Sequence, residues 1–122
     1  MPVRVVLVED NEVFREALEL MLGMREEIEV LAAVGDGASA LRAVLEHAPD
    51  VVLIDYRMPG LDGVEATTQL LAQRPDLRIV ALTASADDGQ RQELLAAGAV
   101  ACLGKDEELD AIVAAIQQAA SA

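Results

Sequence analysis

The chain has 122 residues, 53% of them hydrophobic, with 22 acidic and 9 basic side chains and a formal net charge of -13. That length fits one domain spanning 1–122, and the aliphatic content suits a closed core, not a disordered tail. The acidity disfavours direct binding to nucleic acid, which needs clustered Lys and Arg against phosphates, and equally disfavours an anionic membrane surface.

Short runs rich in Val, Ile and Leu recur along the chain, each followed by a segment of helical period, which is the pattern of repeated βα units. The first strand is expected from Val3 to Val8. It meets Glu9-Asp10 too early for a signal peptide or a membrane span. Asn11 can cap a first helix with the stripe Phe14, Leu18, Leu22 beside Val13, Ala17 and Met21, ending at Gly23. A second strand is expected from Ile28 to Ala33. Asp36 can cap a second helix carrying Leu41, Val44 and Leu45, stopped before Pro49.

The third strand is expected from Val51 to Ile54, and Asp62 with Glu65 resembles a capping box for a third helix that stops before Pro75. A fourth strand follows from Ile79 to Leu82, with a helix from Asp88 to Gly98. The fifth strand, Val100 to Leu103, leads to a last helix from Glu107 to about Ala120, capped by Asp106 with Glu107 and Glu108 at its positive end. The strand runs are mostly continuous rather than alternating, as parallel strands covered on both faces require. The expected fold is therefore α/β, a (βα)5 doubly wound parallel sheet, with ligand chemistry outside the carboxyl ends of its strands.

Those ends gather Glu9 and Asp10 from strand one, Asp55 from strand three, Thr83 from strand four and Lys105 from strand five. Lys105 is the only lysine. Clustered carboxylates raise one another's pKa unless a cation shares the site, so a bound metal, the lysine, or both are implied. Oxygen ligands with room for water favour Mg²⁺ over zinc or copper. Cys102, the single cysteine, cannot close an internal disulfide, and no Cys/His spacing suggests zinc; a reducing, cytoplasmic setting is the expectation. Cys102 reads as a small buried filler and His47 as a surface residue at a helix end.

Four segments in order carry a resemblance: Val6-Leu7-Val8-Glu9-Asp10, the run from Val52 through Asp55-Tyr56-Arg57-Met58-Pro59-Gly60-Leu61-Asp62-Gly63, Ala81-Leu82-Thr83-Ala84, and Gly98-Ala99 leading to Lys105. The sequence resembles the receiver domain of bacterial two-component response regulators, most of all the LuxR/NarL type. The resemblance implies a flavodoxin-like sheet of strand order 2-1-3-4-5. It also implies that Asp55 accepts a phosphoryl group from the phosphohistidine of a sensor histidine kinase. Mg²⁺ would be held by Glu9, Asp10, Asp55 and the Arg57 backbone carbonyl, with Lys105, the Thr83 hydroxyl and the Ala84 N–H on the phosphoryl oxygens.

Beside that set, Tyr56, Arg57 and Ser85 would tune the access of water to the acyl phosphate. Cys102 stands where many receivers carry an aromatic residue that swings inward, so ring-based coupling on strand five is in doubt. The resemblance also implies control of a C-terminal helix-turn-helix output domain. None lies in these 122 residues, so an excised receiver is favoured over a stand-alone one, with a homodimer as a further partner. Three other readings compete. A haloacid-dehalogenase-like phosphatase wants an acid two residues after its nucleophile, where this chain has Arg57. A flavodoxin-like cofactor carrier needs a phosphate loop that Glu9-Asp10-Asn11-Glu12 would repel. A pseudo-receiver acting by contact alone would not need the acid, hydroxyl and lysine set.

Overall fold

Five βα units alternate along the chain, and the structure, a computed structural model, describes residues 1–56, 62–84 and 88–121. The strands are β1 (Val3–Val8), β2 (Ile28–Val34), β3 (Val51–Asp55), β4 (Arg78–Thr83) and β5 (Ala101–Gly104). The helices are α1 (Glu12–Gly23), α2 (Gly37–His47), α3 (Gly63–Gln73), α4 (Asp88–Ala97) and α5 (Leu109–Ser121). Every strand pair is parallel, in the order β2-β1-β3-β4-β5. This is the flavodoxin-like arrangement expected from the sequence, with the order reversing between β1 and β3.

Both faces of the sheet are covered, which explains the continuous apolar runs. Val6, Val8, Val52, Ile54, Ile79 and Ala81 pack on one face with Ala40, Val44, Ala66, Leu70 and Leu94 from α2, α3 and α4. Val5, Leu7, Val51, Leu53, Val80 and Leu82 pack on the other with Leu18 and Leu22 of α1 and Ile112, Val113 and Ile116 of α5. Alternate residues of one strand thus feed opposite cores. Burying each Val, Leu or Ile side chain among them contributes about 1.5–3 kcal/mol, against chain entropy of similar total size. The edge strands differ: β2 is only half-buried along most of its length, and β5 has four residues.

Local chemistry sets the helix starts. Asn11 Oδ1 accepts from Phe14 N at 2.9 Å, Asp36 Oδ1 from Ser39 N at 2.8 Å, and Asp62 Oδ1 from Glu65 N at 2.9 Å. Each such cap is worth about 0.5–2 kcal/mol. At the far end of α4, Gly98 takes φ +118, a conformation that an L side chain rarely adopts.

Several expectations are corrected. In α1 only Leu18 and Leu22 are buried, while Val13, Ala17 and Met21 face solvent; the helix meets the sheet with a single stripe. In α2 the small residues Ala40 and Ala43 lie against the core beside Val44, and Leu45 is exposed. β5 begins one residue later than expected, since Val100 turns outward while its N–H still reaches Ile79 O. Asp106 does not cap the last helix: Glu107 N closes a turn onto Gly104 O, and Glu108 O accepts from both Ala111 N and Ile112 N, so α5 starts at Leu109. No helix among the described residues is long and apolar enough to cross a membrane.

Candidate functional site

The carboxyl ends of β1, β3, β4 and β5 converge because the central strands are in close register. Val8 pairs with Ile54, Asp55 with Leu82, and Thr83 with Gly104. The residue following each end is therefore delivered to one rim, where backbone bonds hold it: Glu9 N to Val34 O, Tyr56 N to Leu82 O, and Lys105 N to Thr83 O. On that rim Glu9, Asp10 and Asp55 each offer a carboxylate oxygen, and these atoms all lie within 4.8 Å of one another.

Glu9 is fully buried and Asp55 is 3% exposed, whereas Asp10 opens to solvent. Lys105 Nζ stands 2.7 Å from Glu9 Oε1 and 3.2 Å from Asp55 Oδ1. Among the described residues Glu9 Oε1 has no well-aligned hydrogen-bond donor, so the ammonium acts on it as a counter-charge. The other oxygen, Oε2, accepts from Asn11 N at 3.0 Å, and Arg15 Nη1 donates to Glu9 O at 2.9 Å. The ammonium also lies over the Phe14 ring, 5.1 Å from its centroid, an attraction that keeps it directed at the site.

One ammonium cannot neutralise three carboxylates, and the imbalance appears in the acids. Burial, together with the hydrogen bond to Asp10 and the charge of Glu9, pushes Asp55 up to about 7 against the opposing pull of Lys105. For Asp10, the hydrogen bonds with Asp55 and Glu9 outweigh the upward effect of burial and hold its pKa below the ordinary carboxylate value. Lys105 is desolvated, yet its acidic neighbours keep its pKa raised. Without a further cation the cluster thus holds a proton, favoured on Asp55, at pH values where an ordinary carboxylate has lost it. A group of hard oxygen donors short of positive charge fits a divalent cation such as Mg²⁺.

A cavity of about 350 Å³ opens beside the cluster, lined by Asp10, Asn11, Asp55, Tyr56, Thr83, Ala84, Gln90 and Lys105. A second cavity, of about 290 Å³, is lined by Pro49, Asp50, Arg74 and Arg78 among others and includes none of these residues. Of the residues singled out from the sequence, Glu9, Asp10, Asp55, Thr83, Ala84, Lys105 and Tyr56 therefore meet at one place. Cys102 does not line the cavity. It is buried in the core opposite Ala81, and burial pushes its thiol up. The Arg57 carbonyl, the Met58-Pro59-Gly60 turn and Ser85 lie outside the described residues.

Three contributors escaped the sequence reading. Gly63 opens α3 against the end of β3: a Cβ there would stand 2.7 Å from Asp55 O and 2.8 Å from Tyr56 Cα. The Asp62-Gly63 pair was a visible signal of that close approach. Gln90 accepts from the Thr83 hydroxyl at 3.1 Å, and Glu93 accepts from Tyr56 OH at 3.2 Å. Polar residues on a helix face carried no comparable signal.

Comparison with known proteins agrees with this geometry. The response regulator receiver domain family matches residues 5–117. The transcriptional regulatory protein DegU of Brevibacillus brevis is 35% identical over 115 residues, covering 94% of this chain and 49% of DegU. LiaR of Bacillus subtilis is 37% identical over 117 residues, covering 96% of this chain and 56% of LiaR. The chain spans about half the length of the curated relatives it matches. Among solved structures, the signal receiver domain of NarL from Mycobacterium tuberculosis superposes with a TM-score of 0.93 at 33% identity, covering 98% of this chain and 97% of that one. A LuxR-family two-component response regulator from Aurantimonas sp. SI85-9A1 also gives 0.93, at 27% identity, covering 99% and 86%. The chain belongs to the response regulator receiver domain family.

Proposed function

We propose that this receiver takes a phosphoryl group onto Asp55, with Mg²⁺ held by Glu9, Asp10 and Asp55, and that the modification changes which partner it binds. Receiver domains bind Mg²⁺ at an acidic pocket and partner with histidine kinases. The observation that carries the reading for this chain is the convergence of three carboxylates at one rim, two of them paired with a half-buried lysine, beside an open cavity.

In this reading an Asp55 carboxylate oxygen attacks the phosphorus of a phosphohistidine. A P–O bond forms as the P–N bond breaks, and the imidazole leaves with the electron pair and takes up a proton. Asp55 must be ionised to attack, although burial favours its protonated form. Bound Mg²⁺ supplies the missing positive charge, favouring the carboxylate and offsetting charge on the transferring group. Lys105, already 3.2 Å from Asp55 Oδ1, meets a phosphoryl oxygen as a compact charge. Thr83 donates its hydroxyl and Ala84 its backbone N–H to the remaining oxygens. Tyr56, which lines the cavity, would screen the acyl phosphate from water. The chain promotes only its own phosphorylation and slow dephosphorylation. Relatives of about twice the length named as transcriptional regulators support a role in transcription through a further domain.

The test is intact-mass spectrometry after incubation with acetyl phosphate and Mg²⁺. One phosphoryl adduct is expected on the natural chain and none on Asp55→Asn. No adduct on the natural chain, together with silence toward beryllofluoride, would overturn the reading in favour of a pseudo-receiver.

A further inference from the structure

Thr83 is 3% exposed at the end of β4, and its hydroxyl donates to Gln90 Oε1 at 3.1 Å. Gln90 sits in the first turn of α4 and lines the same cavity as Asp55 and Lys105. A hydroxyl has one proton. If that proton is given to a phosphoryl oxygen on Asp55, it is no longer available to Gln90, so the two contacts exclude each other.

We propose that Gln90 is a positioning residue of the phosphoryl site: it holds the Thr83 hydroxyl at rest, and occupation of the site must draw that hydroxyl away from α4. The inference rests on the phosphoacceptor reading above and adds the competitor that reading lacks. Two neighbouring contacts give the exchange a structural consequence. Glu93, three residues after Gln90 and so on the same helix face, accepts from Tyr56 OH at 3.2 Å. Arg91 Nη1 donates to Cys102 O at 2.8 Å, tying α4 to β5. The first half of α4 is therefore held by side chains to Tyr56 just past β3, to the end of β4 and to β5, and one of those ties is lost when Thr83 turns to the phosphoryl group. Cys102 leaves β5 without a ring to report the change, whereas Gln90 touches the reporting hydroxyl itself.

The experiment titrates beryllofluoride with Mg²⁺ into the natural chain and into Gln90→Leu and Gln90→Ala, followed by the emission of Tyr56, the only tyrosine in a chain without tryptophan. Removing the competitor costs the resting state one neutral hydrogen bond, so both variants are expected to bind beryllofluoride about two- to tenfold more tightly. In a Thr83→Ala background the same substitutions are expected to change nothing, and in Thr83→Ser, which keeps the hydroxyl, the gain returns. Circular dichroism melting shows that each variant is folded.

Unchanged or weaker binding by both folded Gln90 variants would overturn the proposal. That result is also the one expected of an amide turned the other way, donating to Thr83. A gain that persists undiminished in Thr83→Ala would overturn it as well, since the effect would then not run through the hydroxyl. A natural chain that ignores beryllofluoride, or an Asp55→Asn chain that responds equally, overturns the phosphoacceptor reading and this inference with it. A normal response without a Gln90 effect overturns this inference alone.

Discussion

Two clusters in this molecule are built from the same parts, a single cation shared among carboxylates, yet Glu27 in one and Asp55 in the other are shifted in opposite directions. At the surface Arg25 bridges Glu27 at 2.9 Å and Asp110 at 2.7 Å, with Asp110 almost fully solvated. There the guanidinium simply holds Glu27 below its usual carboxylate range. At the strand ends Lys105 bridges Glu9 and Asp55 at similar distances, but Asp55 is pushed up to about 7. The difference is water. The surface carboxylates keep their hydration, so the cation adds a small further gain; the buried ones have lost it, and one ammonium does not replace it. Excess negative charge without solvent makes the second cluster a place where a divalent cation is favoured, while the first remains an ordinary surface contact.

The largest break in that comparison is Lys105→Ala. It leaves Glu9 buried with no counter-charge, which in a buried pair costs on the order of 3–5 kcal/mol. Urea unfolding in the presence of a chelator is expected to show a loss of that order, and added Mg²⁺ to recover part of it. A midpoint unmoved by the substitution would mean that water already reaches Glu9.

A smaller effect is expected from pH in the chelated chain. Asp55 has a folded value near 7 against an ordinary 3.8, so between those two the folded state holds a proton that the unfolded chain has released. Its contribution to stability is full below about pH 4, falls as pH rises toward 7, and is flat above. Asp10 is shifted the other way, so its contribution is lost only as pH falls below 3.8 and does not mask that window. Comparing unfolding midpoints of the natural chain and Asp55→Asn across pH 4 to 8 isolates the slope, which should vanish in the variant.

The smallest effect belongs to the surface cluster. Arg25→Ala is expected to leave the unfolding midpoint within a small margin and beryllofluoride binding unchanged, because salt and water already screen those charges. A loss comparable with that of Lys105→Ala would erase the distinction between the two sites.

The sequence carried the site to the extent that it carried the strands. Glu9, Asp10, Asp55, Thr83 and Lys105 could be read as neighbours because each follows an apolar run, and parallel βα units put all such ends on one side. Gln90 and Glu93 could not be read that way. A polar residue on a helix face looks solvated in sequence, and only the rotation of α4 against β4 turns Gln90 toward Thr83. Phe14 read as part of a core stripe, and its place beneath the ammonium depends on where the loop after β5 delivers Lys105.

Two errors have the same origin. Asp106 looked like a helix cap because its side chain and the acids after it suit a helix start, but the turn that presents Lys105 uses Gly104 O and delays α5 to Leu109. Val13, Ala17 and Met21 looked like core because their spacing is helical, yet α1 buries only a single stripe against the sheet.

Periodicity and caps thus determined the order and direction of the elements, since apolar patterning and backbone chemistry are local properties. The strand register, the rotation of each helix, and the burial of Glu9 and Asp55 beside one lysine were decided only by packing. Desolvation belongs to the assembled environment, and no residue carries it alone.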